Sequence, residues 1–98
     1  MSAIGTLDES NASLRLLITL YQTDKPLILS ELYREMHSRY KIGRRAVETA
    51  IQTCIELNLV KRETKRIGKN PMPSIFHELT PKGKKIAEIC IKLERSLR

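Results

Sequence analysis

The chain has 98 residues, enough for one domain with a single modest core. At 41% apolar and 30% charged it is globular rather than disordered, and one Phe, three Tyr and no Trp leave too few rings for a surface that stacks single-stranded bases. The net charge of +7 is concentrated in residues 30–69 (ten bases, five acids) and 82–98 (six bases, two acids), a distribution that fits an acidic partner such as nucleic acid and also a merely soluble surface.

No apolar run reaches the length of a membrane span and the N-terminus lacks a signal-peptide pattern, so no membrane partner is expected and the expected location is the cytoplasm. Residues 1–10 are expected to be a flexible lead-in, in which Ile4 and Leu7 could dock on a partner surface. From an N-cap at Ser10 or Asn11, the run ASLRLLITLYQTD places Leu14, Leu17, Ile18 and Tyr21 at helical spacing, and Asp24-Lys25-Pro26 ends the helix. A short apolar piece, LIL, precedes Ser30, the expected N-cap of a second helix with Leu32 and Met36 on its inner face. In KIGRRAVETAIQTCIELNLV, Gly43 caps or turns, and Val47, Ala50, Ile51, Cys54 and Ile55 line one face of a third helix. Asn58 closes that helix in the left-handed conformation.

The next stretch, LVKRETKR–IGKNPMP–SIFHELT, has the composition of strand, turn and strand. Thr80-Pro81 starts the last helix, with Thr as N-cap and Pro at the first helical position. Along it Ile86, Ile89, Cys90, Leu93 and Leu97 make a stripe like a heptad seam. The stripe either pairs with a second copy or folds back on the first helix, and the small core favours a homodimer. Cys54 and Cys90 lie too far apart for a metal-binding pair and read as buried thiols, with a disulfide as the alternative.

The order helix–helix–helix–hairpin–helix, with ELNLVKRE leaving the third helix and HELTPKGKKIAE following the hairpin, resembles a winged helix-turn-helix domain. The resemblance runs from about residue 11 to the chain end, and its motifs resemble those of the fold as used by small regulators of the MarR and PadR kind; compact archaeal and archaeal-virus regulators are similar in size and in Ile/Lys/Glu-rich composition. Asn58 stands where the family usually has Gly, and Gly43-Arg44-Arg45 where Ser or Thr commonly caps the recognition helix. The resemblance implies an α+β, mainly α fold with a two-stranded wing, in which residues 11–80 are the winged domain and residues 81–98 a dimerisation helix.

Two groups of residues carry the functional expectation. On the third helix, Arg44, Arg45, Thr49, Gln52 and Thr53 suit base edges: Arg matches the two acceptors of guanine, Gln the donor–acceptor edge of adenine, and Thr a thymine methyl or a phosphate. Glu48 and Glu56 on the same helix count against that reading unless they are paired. On the hairpin and beyond, Lys61, Arg62, Lys65, Arg66, Lys69, Lys82, Lys84 and Lys85 suit the phosphate backbone or minor groove. Arg44, Arg45, Lys82, Lys84 and Lys85 stand at or near helix starts, where cations oppose the helix dipole by about 0.3–1 kcal/mol each, an arrangement that makes sense if an anion binds there. The bland counterparts are a solvated helix face and a lysine-rich strand edge that blocks aggregation. Tyr33 and Tyr40 flank the turn and serve either phosphate contact or packing, and His77 reads as a structural histidine at the hairpin base.

No nucleophile–base grouping, paired carboxylates, phosphate loop or metal cluster is visible, so no enzyme, cofactor or small-molecule ligand is expected. The leading expectation is a double-stranded DNA-binding homodimer that regulates transcription. A winged-helix protein-interaction module and a chromatin-type protein that coats DNA without sequence choice are the competing ones.

Overall fold

The computed structural model describes residues 12–66, 68, 69 and 72–97. Ser10, Asn11, Ile4 and Leu7, each given a role above, lie outside the described residues. The elements are α1 (Ala12–Thr23), β1 (Leu27–Ile28), α2 (Leu29–Tyr40), α3 (Arg44–Glu56), β2 (Val60–Lys65), β3 (Ser74–Leu79) and α4 (Pro81–Ser96). This is the mainly helical winged helix-turn-helix order, with one strand beyond expectation. The LIL piece supplies β1, which pairs antiparallel with β3, so the sheet order is β1-β3-β2 and the wing's central strand is β3.

The extra strand also moves a helix start. Because Ile28 pairs with Phe76, it is held extended and becomes the residue before α2, and Ser30 falls inside the first turn instead of capping it. Glu31 fulfils the capping role from within, accepting a hydrogen bond from the Ile28 backbone N–H at 3.2 Å. Lys41 in the left-handed conformation (φ 59°) then ends α2, its N–H returning to the His37 carbonyl at 2.9 Å. Three residues, Lys41 to Gly43, separate α2 from α3, the short link a helix-turn-helix requires.

The core sits where α1 meets everything else. Leu16, Leu17 and Leu20 of α1 pack with Leu32 and Met36 of α2, Val47, Ala50, Ile51 and Cys54 of α3, and Leu27, Val60 and Leu79 of the sheet. Because α1 is packed against three other helices and β3, its burial is wider than a single amphipathic stripe. Ser13 and Thr19, which periodicity places outside, are buried, whereas Tyr21, expected inside, is exposed. The buried polar atoms find partners: the Thr19 hydroxyl donates to the Arg15 carbonyl one turn back at 2.8 Å, and the Ser13 carbonyl accepts from the Cys54 thiol of α3 at 3.8 Å. Burial pushes the Cys54 thiol up to about 12, and neither Cys54 nor Cys90 forms a disulfide in the chain.

The exit of α3 and the entry of α4 form one joint. Asn58 takes the left-handed conformation expected of it (φ 60°), and its carbonyl accepts the Thr80 hydroxyl at 2.7 Å. The same hydroxyl caps α4 by accepting from the Gly83 N–H at 3.0 Å. Gly83 is pressed onto the chain below it: a Cβ at this position would overlap the Leu59 carbonyl oxygen. The Gly of the LTPKG run is therefore a close-approach glycine, and the Thr before it ties two helices at once.

Candidate nucleic-acid interface

The apolar face of α3 is committed to the core, so its remaining surface follows by geometry. Arg44, Arg45, Glu48, Thr49, Gln52 and Glu56 are exposed, while Thr53 is only half-buried at the edge of that face. Gly43 offers no side-chain cap, and no acid stands in the first turn of α3, which begins Arg44-Arg45. The two carboxylates of the polar face are both engaged. Glu56 accepts the Gln52 side-chain amide at 3.2 Å, one turn apart on the same helix. Glu48 accepts the hydroxyl of Tyr33, which reaches across from α2, and this hydrogen bond is the main reason the Tyr33 hydroxyl titrates above its ordinary value. The Tyr33 ring also lies under the Arg44 guanidinium, 5.3 Å from its centroid. Tyr40, the other residue flanking the turn, holds the Arg15 guanidinium 4.6 Å over its ring.

The wing has two faces, set by strand alternation and by the register Arg62↔His77 and Lys61↔Glu78. On one face Lys61 pairs with Glu78 at 3.1 Å and Lys65 with Glu63 at 3.6 Å, so its charges are largely balanced. On the other, Arg62 is exposed, sits opposite His77, and makes no ion pair among the described residues. The sequence suggests a hairpin basic on both sides; cross-strand and along-strand partners leave only the Arg62 side uncompensated.

That side faces α3. Between them lies a cleft of about 450 Å³, bounded by Glu48 and Gln52 from α3 and by Arg62 from β2, with Leu29, Ile75 and Ile51 among its apolar lining. His77 is buried at its base, its Nδ1 3.0 Å from the Leu27 carbonyl oxygen. Burial lowers the His77 pKa and outweighs the opposing effect of that hydrogen bond, and the nearby Arg62 charge lowers it further. Ile75 and His77 reach the site on β3, the strand that the sequence places there, and Leu29 reaches it as the first residue of α2, just after β1 pairs with β3.

Arg66 follows the end of β2 and Lys69 lies in the hairpin loop; both are exposed. The lysines of α4 are placed differently from one another. Lys82 donates its ammonium to the Leu57 carbonyl at 3.3 Å, so a cation at the start of α4 also neutralises the C-terminal end of α3. Lys84 lines a larger groove of about 1070 Å³ shared with Lys61 and Glu78, on the far side of the sheet from the α3 cleft. Lys85 is exposed one residue further on.

The α4 stripe is divided by its neighbours. Ala87 is buried and Ile86 packs against the core, whereas Ile89 is 54%, Leu93 58% and Leu97 86% exposed, with Cys90 half-buried beside them. α1 packs along α4 on the side of Ile86 and Ala87, and the outer residues Ile89, Leu93 and Leu97 stay exposed.

No protein-family model and no curated protein sequence matches the chain. Among solved structures it is similar to F-93 of SSV1, with a TM-score of 0.67 and 19% identity over 89% of this chain and 92% of that one. It is similar also to the adhesin competence repressor AdcR of Streptococcus pyogenes, at a TM-score of 0.69 and 18% identity, covering 89% of this chain and 57% of that one. A PadR-like transcription factor from Bacteroides fragilis matches with a TM-score of 0.61 and 15% identity over 98% of this chain and 89% of that one. At these identities the likeness is one of fold, and the fold is the winged helix.

Proposed function

We propose that the chain is a double-stranded DNA-binding transcription regulator acting as a homodimer. In this reading α3 enters the major groove, where Arg45, Thr49 and Gln52 meet base edges. Arg44, with the uncapped start of α3 behind it, takes a phosphate. Arg62, Arg66 and Lys69 follow the backbone into the adjacent minor groove. Thr53 and the α4 lysines Lys82, Lys84 and Lys85 contribute at the margins, Lys82 by bracing the C-terminal end of α3.

One observation carries the reading: charge compensation on the wing is one-sided. Glu63 and Glu78 balance the lysines on the face turned away from α3, and Arg62 on the face turned towards it stays uncompensated. A wing designed only against aggregation has no reason to choose a side. The fold likeness to a repressor and a transcription factor supports the same reading.

Adjacent residues of β2 supply the test. Arg62→Gln is expected to weaken duplex binding by roughly five- to tenfold on all sequences and to lower the salt slope by about one, as removal of one phosphate contact does. Lys61→Gln, one residue away on the compensated face, is expected to change affinity less than twofold. Equal losses from both variants would remove the support that the one-sided wing provides.

A further inference from the structure

Resting on the DNA-binding reading above, we infer that Glu48 reads a base: Tyr33 presents its carboxylate to the exocyclic amino group of a cytosine in the major groove. A carboxylate on a phosphate-facing helix is repelled by the backbone, and it gains only where it ends on a hydrogen-bond donor. Major-groove edges offer such donors, and cytosine N4 is the one that suits a carboxylate.

Glu48 is placed for this. It is exposed on α3, next to Thr49 and one turn from both Arg44 and Gln52, and it borders the cleft that Arg62 closes on the other side. Its position is fixed from outside its own helix. The Tyr33 hydroxyl occupies one site on Oε1, and a carboxylate has about four acceptor sites, so the group keeps acceptor capacity in a set orientation. Tyr33 is half-buried against the core, and its ring carries the Arg44 guanidinium. Tyr33 thus links Arg44 and Glu48 across the helix-turn-helix, and the cation one turn away offsets part of the repulsion between Glu48 and the phosphates. Glu56, the other acid of this face, is taken up by the Gln52 amide and is not available in the same way.

Selection of bound sequences from a random duplex pool tests the assignment, first with the wild-type chain and then with Glu48→Ala and Tyr33→Phe. The wild type is expected to select a site containing a C·G pair whose replacement by T·A costs roughly tenfold in affinity. Glu48→Ala is expected to lose that preference at that one position, while its affinity for random duplex stays level or rises because an anion has gone. Tyr33→Phe keeps the ring under Arg44 and is expected to relax the same position and no other. If both variants select the wild-type site unaltered, or shift all sequences alike, Glu48 and Tyr33 are only a tie between α2 and α3 and the inference is overturned. A wild-type chain that binds no duplex sinks the DNA-binding reading and this inference together, an outcome distinct from an unaltered site.

Discussion

Gly83 and His77 show how single residues of this chain are held to one identity by partners far away in sequence. A glycine inside a helix ordinarily costs about 0.5–1 kcal/mol relative to alanine, so Gly→Ala normally stabilises. Here the added methyl meets the Leu59 carbonyl, a backbone group that cannot rotate aside. Gly83→Ala is therefore expected to destabilise by about 1–3 kcal/mol, read as a fall in the urea midpoint at unchanged slope; a stabilised variant would show that the joint is loose. His77 is kept neutral by burial, with a folded pKa below the ordinary value of about 6.5. Below that value the unfolded chain takes up a proton that the folded chain resists. The contribution is thus fully present above about pH 6.5 and is lost as pH falls towards the folded pKa, at up to about 1.4 kcal/mol per pH unit. Urea unfolding at pH 7.5, 6.5 and 5.5 checks this: stability is expected to drop across the series in the wild type and to drop less in His77→Gln.

At the scale of elements, the wing and the joint before α4 divide the work. β3 is central, paired with β1 at its base and with β2 along its length, so the wing is rooted in the core rather than hung from α3 and α4 alone. The Thr80 hydroxyl, bonded both to the α3 exit and to the α4 start, fixes the angle between the proposed reading helix and the helix with the exposed stripe. Much of this was legible from the chain. The Thr80-Pro81 start, the Asn58 stop and the inner face Val47–Ala50–Ile51–Cys54 are local signals, set by capping chemistry and helical period, and each forms as read. What escaped depends on residues far apart in sequence. Two residues of strand, Leu27 and Ile28, are too few for a periodicity and exist because β3 is there to pair with them. Glu78 and Glu63 neutralising one wing face, and Tyr33 holding Glu48, likewise come from register and from helix packing rather than from spacing. Lys82, read as a cation looking for an anion, has found a helix C-terminus.

At the scale of the whole molecule, the last helix carries an apolar stripe that the described core does not cover. Ile89, Leu93 and Leu97 extend along the outer side of α4, an uncovered apolar stripe that a second copy would close by the same stripe across a two-fold axis. Sedimentation at micromolar concentration is expected to return a dimer for the wild type and a monomer for Leu93→Asp with α-helical content retained; a monomeric wild type would contradict the paired arrangement. In a dimer the two α3 helices would address half-sites about one DNA turn apart, and duplex affinity would carry the phosphate contacts of both wings. The most direct measurement of the central claim is a titration of wild-type protein with double-stranded DNA from about 50 to 200 mM salt. Tight binding at the low end, falling by about two orders of magnitude or more across the range, is the predicted result. Absence of binding at the lowest salt, or affinity indifferent to salt, would contradict it.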